Sequence, residues 1–287
     1  MKIKITADST ADLSQELEDK FDIGIIPLVV NLGEEEYLDG ETINPDMIYD
    51  YVRKTKKLPK TSAVNTVQYK EHFEKYLSGG YDAIIHFNIS SEMSTTHNNA
   101  KLVCEEMQNI FVVDSRTLST GTALLAMYAS ELAQTGKYSP HDIVEMVEAR
   151  RNTNQTSFII DRLEYLYRGG RCNTIALLGA NLLKIKPSIE VHEGKMGMAK
   201  RYMGNFQKNV MRYVADTLAK YNNPDYTRVF ITHTEIDPEI VEEIKKYLKE
   251  NTRFKEILET TAGSTVTSHC GPHTIGILYL NDGENHY

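Results

Sequence analysis

Short apolar runs that end in polar residues, each followed by a stretch of helical periodicity, organise the first half of the chain. Ile3 to Ala7 has the pattern of a short strand ending in Asp8-Ser9-Thr10, and a helical stretch follows from Ser14. Ile23 to Val30 is a second apolar run. Asp82 to Asn88 (DAIIHFN) reads as a buried strand, with a polar turn and a helix from about Thr95 behind it. Ile110 to Val113 is another, ending in Asp114-Ser115. Such runs predict parallel strands in βα units. In sheets of that kind ligands sit beyond the carboxyl ends of the strands. Asp8-Ser9, Ser90-Ser91 and Asp114-Ser115 are therefore expected around one crevice.

Two long helices are predicted over Thr120 to Gln134 and Pro140 to Asn152, after which the pattern changes. Phe158 to Ile160 leads into a helix ending at Gly169-Gly170. Ile185 to Val191 and Lys195 to Lys200 flank His192-Glu193-Gly194, a hairpin signal. A helix over Phe206 to Tyr221, a strand over Val229 to His233, a helix over Pro238 to Glu250 and strands over Ile257 to Thr260 and Ile275 to Leu280 complete the pattern. The expected fold class is α/β in two domains. Residues 1–155 form an N-terminal parallel-sheet α/β domain, and residues 156–287 a C-terminal α+β domain with a mixed or antiparallel sheet.

Composition narrows the function. The 287 residues suit two cores better than one. With 32 basic and 40 acidic residues the formal charge is -8, which argues against nucleic acid as a partner. Cys104, Cys172 and Cys270 are odd in number and widely spaced, a usage that suits a reducing compartment. The opening MKIKITADST lacks the apolar core of a secretory signal, and no run approaches the ~18 apolar residues of a membrane helix. The expectation is a cytoplasmic protein that carries any lipid inside a soluble body.

The densest hydroxyl cluster is Ser90-Ser91-Glu92-Met93-Ser94-Thr95-Thr96, between a strand and a helix. It reads equally as helix capping and as an anion-facing turn, and one serine can cap while another faces a ligand. Lys60-Thr61-Ser62 after Pro59 reads as a polar loop that caps the next helix. Gly169-Gly170-Arg171 reads as a helix C-cap, with Arg171 either at the surface or presented to a carboxylate or phosphate. Ser268-His269-Cys270-Gly271-Pro272-His273 offers His269, Cys270 and His273, without the paired spacing of a zinc site; no metal is expected. A hydrolase or acyltransferase using Ser94 or Cys270 with His269 is the alternative reading, although no G-x-S-x-G elbow is present.

Taken in order, these segments resemble the DegV family, whose better-understood members are the fatty-acid-binding FakB subunits of bacterial fatty acid kinase. The resemblance runs from Asp8-Ser9-Thr10-Ala11-Asp12-Leu13 through Thr61-Ser62, Ser90-Ser91-x-Met93-Ser94-x-Thr96, Asp114-Ser115 and the nine residues from Leu163 to Arg171. It continues to Ile185-Lys186-Pro187 and His269-x-Gly271-Pro272. It implies a long-chain fatty acid, such as palmitate, stearate or oleate, buried between the two domains. Thr61 and Ser94 would hydrogen-bond its carboxylate. Arg171 and His269 would serve the head group when a separate, dihydroxyacetone-kinase-like subunit phosphorylates it. Ser9, Ser62, Ser91, Thr95, Thr96 and Ser115 are the further candidates for the pocket lining. The implied role is a lipid carrier with no cofactor and no catalytic residue of its own, in contact with that kinase and transiently with a membrane. The chain departs from the family pattern at Thr95 and His273, where glycine is usual.

Overall fold

The computed structural model describes residues 1–172 and 185–283. Strands β1 (Ile3–Asp8), β2 (Ile23–Ile26), β6 (Ala83–Asn88) and β7 (Ile110–Asp114) form a parallel sheet in the order β2-β1-β6-β7. Strands β3 (Val29–Leu32), β4 (Glu35–Leu38) and β5 (Lys60–Ser62) form a small antiparallel sheet, β4-β3-β5. The remaining strands are β8 (Asn154–Ile160), β9 (Ile185–His192), β10 (Lys195–Met203), β11 (Arg228–His233), β12 (Glu256–Thr261) and β13 (Thr274–Leu280). They make a mixed sheet, β10-β9-β8-β13-β11-β12, with only the β11–β12 pair parallel. The fold is thus mixed α/β.

The element chemistry explains the layering. Every residue of β6 is buried, as expected of a strand covered on both faces. The helix Thr120–Gln134 is apolar or small around its whole circumference and is buried over nearly its full length. It packs Leu124, Leu125 and Met127 into one cluster with Ile5 and Phe87 of the parallel sheet and Phe230, Leu278 and Leu280 of the mixed sheet. Gly121 permits the close approach: a Cβ there would stand 2.4 Å from Thr156 Oγ1 and 2.7 Å from Thr117 Oγ1. One helix therefore joins the cores of both sheets. The hairpin signal at His192-Glu193-Gly194 is realised as β9–β10, whose Glu193 and Gly194 have φ of 49° and 82°, as a tight two-residue turn requires.

Two local expectations are corrected, and one element carries no sequence signal. The apolar run from Ile23 to Val30 is two strands in different sheets, broken at Pro27, which has no N–H for a ladder. Lys60-Thr61-Ser62 is the edge strand β5, with Thr61 opposite Val30; three residues with no apolar alternation gave no strand signal. The segment before Gly271 is a helix, Ser264–Cys270, built from threonine, serine and valine of modest helix propensity.

That helix is held from outside. Its N-cap is Gly263, which has no side chain to offer. Asp12 Oδ1 accepts from Gly263 N at 2.7 Å, and Asp39 accepts from Ser264 N at 2.7 Å and Thr265 N at 3.2 Å. Ser9 Oγ donates to Asp39 at 2.9 Å, and Ser119 Oγ to Asp12 at 2.5 Å. Burial pushes the Asp12 carboxyl up to about 8 despite the bonds from Ser119 and Gly263, with Asp39 adding to the rise.

Two outcomes are expected. Asp39→Ala strips the acceptor from two helix N–H groups and should cost about 1–2 kcal/mol in urea unfolding. Asp12 binds a proton in the folded state that the unfolded chain releases near the ordinary value of 3.8. Its contribution is complete below about pH 4 and is lost as pH rises through about 8. Urea midpoints measured at pH 5.5, 7 and 8.5 should therefore fall less steeply with pH in Asp12→Asn than in the wild type. Parallel slopes would refute the assignment.

Candidate functional site

A cavity of about 360 Å³ opens beyond the carboxyl end of β6, within the size range of small-ligand sites. One wall is the serine loop that follows β6; the opposite wall is the helix Ser264–Cys270. Carboxyl groups at the strand ends shape the loop rather than the cavity. Asp8, at the end of β1, accepts from Ile89 N at 2.9 Å. Asp114, at the end of β7, accepts from Ser91 N at 3.1 Å and from Ser91 Oγ at 2.6 Å. Backbone turns close it, with Met93 N and Ser94 N both donating to Ser90 O.

Thr61, Ser62, Ser91, Ser94, Thr95, Arg171 and His269 all line this cavity, together with Cys270. Ser94 Oγ accepts from Thr96 N at 3.3 Å, just before the helix Thr96–Glu106, whose N-cap is Thr95, while its O–H remains free to donate. Thr95 is exposed at the rim. Ser9, Thr96 and Ser115 lie elsewhere. Ser9 borders a separate acidic cavity, its Oγ held between Asp39 and Leu28 N. Thr96 is buried against Tyr69 OH at 2.7 Å. Ser115 is buried between Thr117 O and Thr122 Oγ1. Of the three polar pairs at the strand ends, only Ser91 reaches the cavity, and its hydroxyl is taken by Asp114.

Thr61 and His269, 208 residues apart, meet at 2.8 Å between Oγ1 and Nε2. β5 carries the threonine and the helix Ser264–Cys270 the histidine. Gly169 covers the other ring nitrogen: a Cβ on it would stand 2.6 Å from Nδ1, which has no hydrogen-bond partner among the described residues. Gly170, at φ 69°, caps the helix Glu164–Gly169 and turns the chain so that Arg171 faces the cavity mouth, its Nη1 donating to Gly169 O at 2.7 Å. Among the described residues no carboxylate pairs with Arg171. Burial first, and Arg171 second, lower His269 to about 4, so its ring is neutral at pH 7.

The arrangement suits an anion better than acyl chemistry. His269 pairs with Thr61, and neither Ser94 nor Cys270 hydrogen-bonds to it. Burial pushes the Cys270 thiol up to about 12, leaving no thiolate near neutrality. His273 lies outside the cavity lining, with its ring edge toward Phe206. Among the described residues no three His, Cys, Asp or Glu side chains converge as metal ligands, and no helix is long and apolar enough to cross a membrane. Sequence reasoning named none of the apolar walls, Leu28, Ile89, Met93, Leu118, Met196 and Val266. They come from five separate segments and carry no shared pattern. Leu118, Val266 and Cys270 also border a smaller cavity between β8, β11 and β13, so apolar wall continues inward.

Fold and site define a class: mixed α/β proteins with a hydroxyl-lined cavity mouth and apolar walls, in which His269 pairs with Thr61 and not with Ser94 or Cys270. The family model for uncharacterised proteins of the DegV family matches residues 2–282, and the chain belongs to that family. A DegV domain-containing protein of Clostridium perfringens is 30% identical over 283 residues, covering 98% of this chain and 99% of the relative. Among solved structures, a fatty-acid-binding DegV family protein from Thermus thermophilus is similar with a TM-score of 0.86 and 26% identity, over 98% of this chain and all of its own. A stearic-acid-binding protein from Eubacterium ventriosum is similar with a TM-score of 0.83 and 26% identity, over 97% and 98% of the two chains.

A histidine titration by NMR checks the electrostatics. The His269 ring should stay neutral down to about pH 4, and Arg171→Ala should move its midpoint upward. A wild-type midpoint near 6.5 would contradict the buried, Arg171-facing environment.

Proposed function

We propose that this chain binds one long-chain fatty acid by its carboxylate, between residues 1–155 and 156–287, and presents it to a separate, dihydroxyacetone-kinase-like subunit for phosphorylation. The observation that carries the reading is the convergence of Thr61, Ser94, Arg171 and His269 on one cavity that also has apolar wall from Leu28, Ile89, Met93, Leu118, Met196 and Val266. Thr61 and Ser94 hold the carboxylate, and palmitate, stearate or oleate fits the chemistry of the walls. The fatty-acid-binding relatives from Thermus thermophilus and Eubacterium ventriosum support the ligand class.

The physics divides the labour. Burying a methylene is worth about 0.8 kcal/mol, so ~14 of them contribute roughly 11 kcal/mol before immobilisation takes back about 4–15. The tail must supply most of the affinity. A charge-assisted hydrogen bond adds only about 1.5–3 kcal/mol, but a buried carboxylate without partners costs more than that. The polar mouth therefore selects acids and fixes which end faces out. Arg171 is exposed, cationic and free of a carboxylate partner among the described residues, which suits the spread charge of a transferring phosphoryl group.

Denaturing mass spectrometry of an organic extract of the purified protein should show a long-chain acid at stoichiometric level; preparations consistently without one would overturn the proposal. Thr61→Ala and Ser94→Ala should each weaken binding of a fluorescent fatty acid by about 1–3 kcal/mol. With a cognate kinase subunit and ATP, Arg171→Ala should bind acid at near-normal affinity yet lose most acyl-phosphate formation. His269→Ala should impair both steps, because it also releases Thr61. Normal phosphorylation by Arg171→Ala would remove it from the phosphoryl role.

A further inference from the structure

The turn of the β9–β10 hairpin reaches out of the mixed sheet and rests on the serine loop. Ser90 is fully buried, and its Oγ donates to Gly194 O at 2.7 Å. The same Oγ accepts from Glu92 N at 3.2 Å, while Ser90 O accepts from Met93 N at 2.9 Å and Ser94 N at 3.2 Å. One residue thus links the hairpin turn to the backbone of Ser94. Arg116, just beyond β7, grips the other side of the turn by donating from Nη2 to Glu193 O. Lys195 and Glu92 form a 3.3 Å ion pair across the same contact, exposed and of small energetic weight.

Two further facts give the contact a direction. Gly194 has φ 82°, and a Cβ on it would stand 2.5 Å from Ser90 Oγ and 3.2 Å from Glu92 Cγ, so the turn and the loop approach as closely as glycine allows. Met196 lies two residues past the turn, on β10, and forms part of the cavity wall. The hairpin therefore sets a piece of the apolar wall and the position of the serine loop together.

We infer that the Glu193-Gly194 turn is a clasp that holds the serine loop in its carboxylate-binding form, with Ser90, Gly194 and Arg116 as positioning residues that act through Ser94. The inference rests on the fatty-acid reading above. It assigns head-group selectivity to a contact that touches no ligand. Releasing the clasp lets the Ser94 hydroxyl drift from its place, while Met196 stays paired with Val191 in the β9–β10 ladder and the tail keeps its apolar surroundings.

The test compares palmitate with its methyl ester, which has the same tail and no charge. Affinities are measured for the wild type, Ser90→Ala, Gly194→Ala and Arg116→Ala, each with a thermal melt. Palmitate affinity should fall roughly three- to tenfold in each variant, the scale of one displaced hydrogen bond, while ester affinity stays within twofold. Arg116→Ala leaves the buried contact intact and covers the case in which a substitution at Ser90 or Gly194 prevents folding. Equal losses for acid and ester would make the contact ordinary structural packing and overturn the inference. Unchanged palmitate affinity in the variants would overturn it as well. A wild type that does not prefer the acid over the ester would overturn the fatty-acid reading itself, and the clasp with it.

Discussion

The cavity depends on a seven-residue helix that cannot start itself. Ser264–Cys270 is too short and too poor in helix formers to persist alone, and its first N–H groups are buried where water cannot serve them. Asp12 and Asp39 supply the missing acceptors from 251 and 225 residues away along the chain. Asp12 also takes the Ser119 hydroxyl at the start of the central helix, and Asp39 takes Ser9 at the end of β1. Two carboxyl groups thus tie the first strand, the central helix and the last helix to one point. His269 stands on the far end of that short helix, so its meeting with Thr61 follows from the same contact.

Charge is distributed around the cavity with a consistent logic. The acids at the strand ends, Asp8 and Asp114, turn inward onto backbone and hydroxyl donors, and the one carboxylate among the described lining residues, Glu92, is held in an exposed ion pair with Lys195. Asp8 and Asp12 are both pushed up by burial, and their hydrogen bonds only partly offset that cost. Among the described lining residues Arg171 is the fixed positive charge, and the lowered His269 leaves hydroxyls as the other polar donors. On the proposed reading, a site built this way would recognise an anion through oriented dipoles and one guanidinium. It leaves the bulk of binding free energy to apolar surface, which is the balance a carrier of amphiphiles needs.

The parallel strands, the long buried helix and the β9–β10 hairpin were legible because each is a local pattern: an apolar run, an apolar circumference, a glycine turn. The cluster around Ser90 to Thr96 was legible as a strand-to-helix turn rich in donors, and Gly169-Gly170 as a helix end. Other readings failed where chemistry is not local. Ser9, Ser91, Thr96 and Ser115 look as available as Ser94 on paper, yet their hydroxyls are consumed by Asp39, Asp114, Tyr69 and Thr122. Lys60-Thr61-Ser62 looks like a loop because its strand character comes from the free edge of β3.

The sequence by itself determined the element types over most of the chain, the α/β class, the acidic charge and the supply of hydroxyl groups at a strand-to-helix turn. These follow from side-chain periodicity and backbone preference, which act over a few residues. Only the tertiary structure decided which hydroxyls remain free, that His269 is neutral and paired with Thr61, that Asp12 and Asp39 are helix caps, and that a distant hairpin turn rests on the serine loop. Each of these depends on hydrogen-bond partners or burial contributed by segments remote in the chain, and no local pattern encodes which remote group arrives.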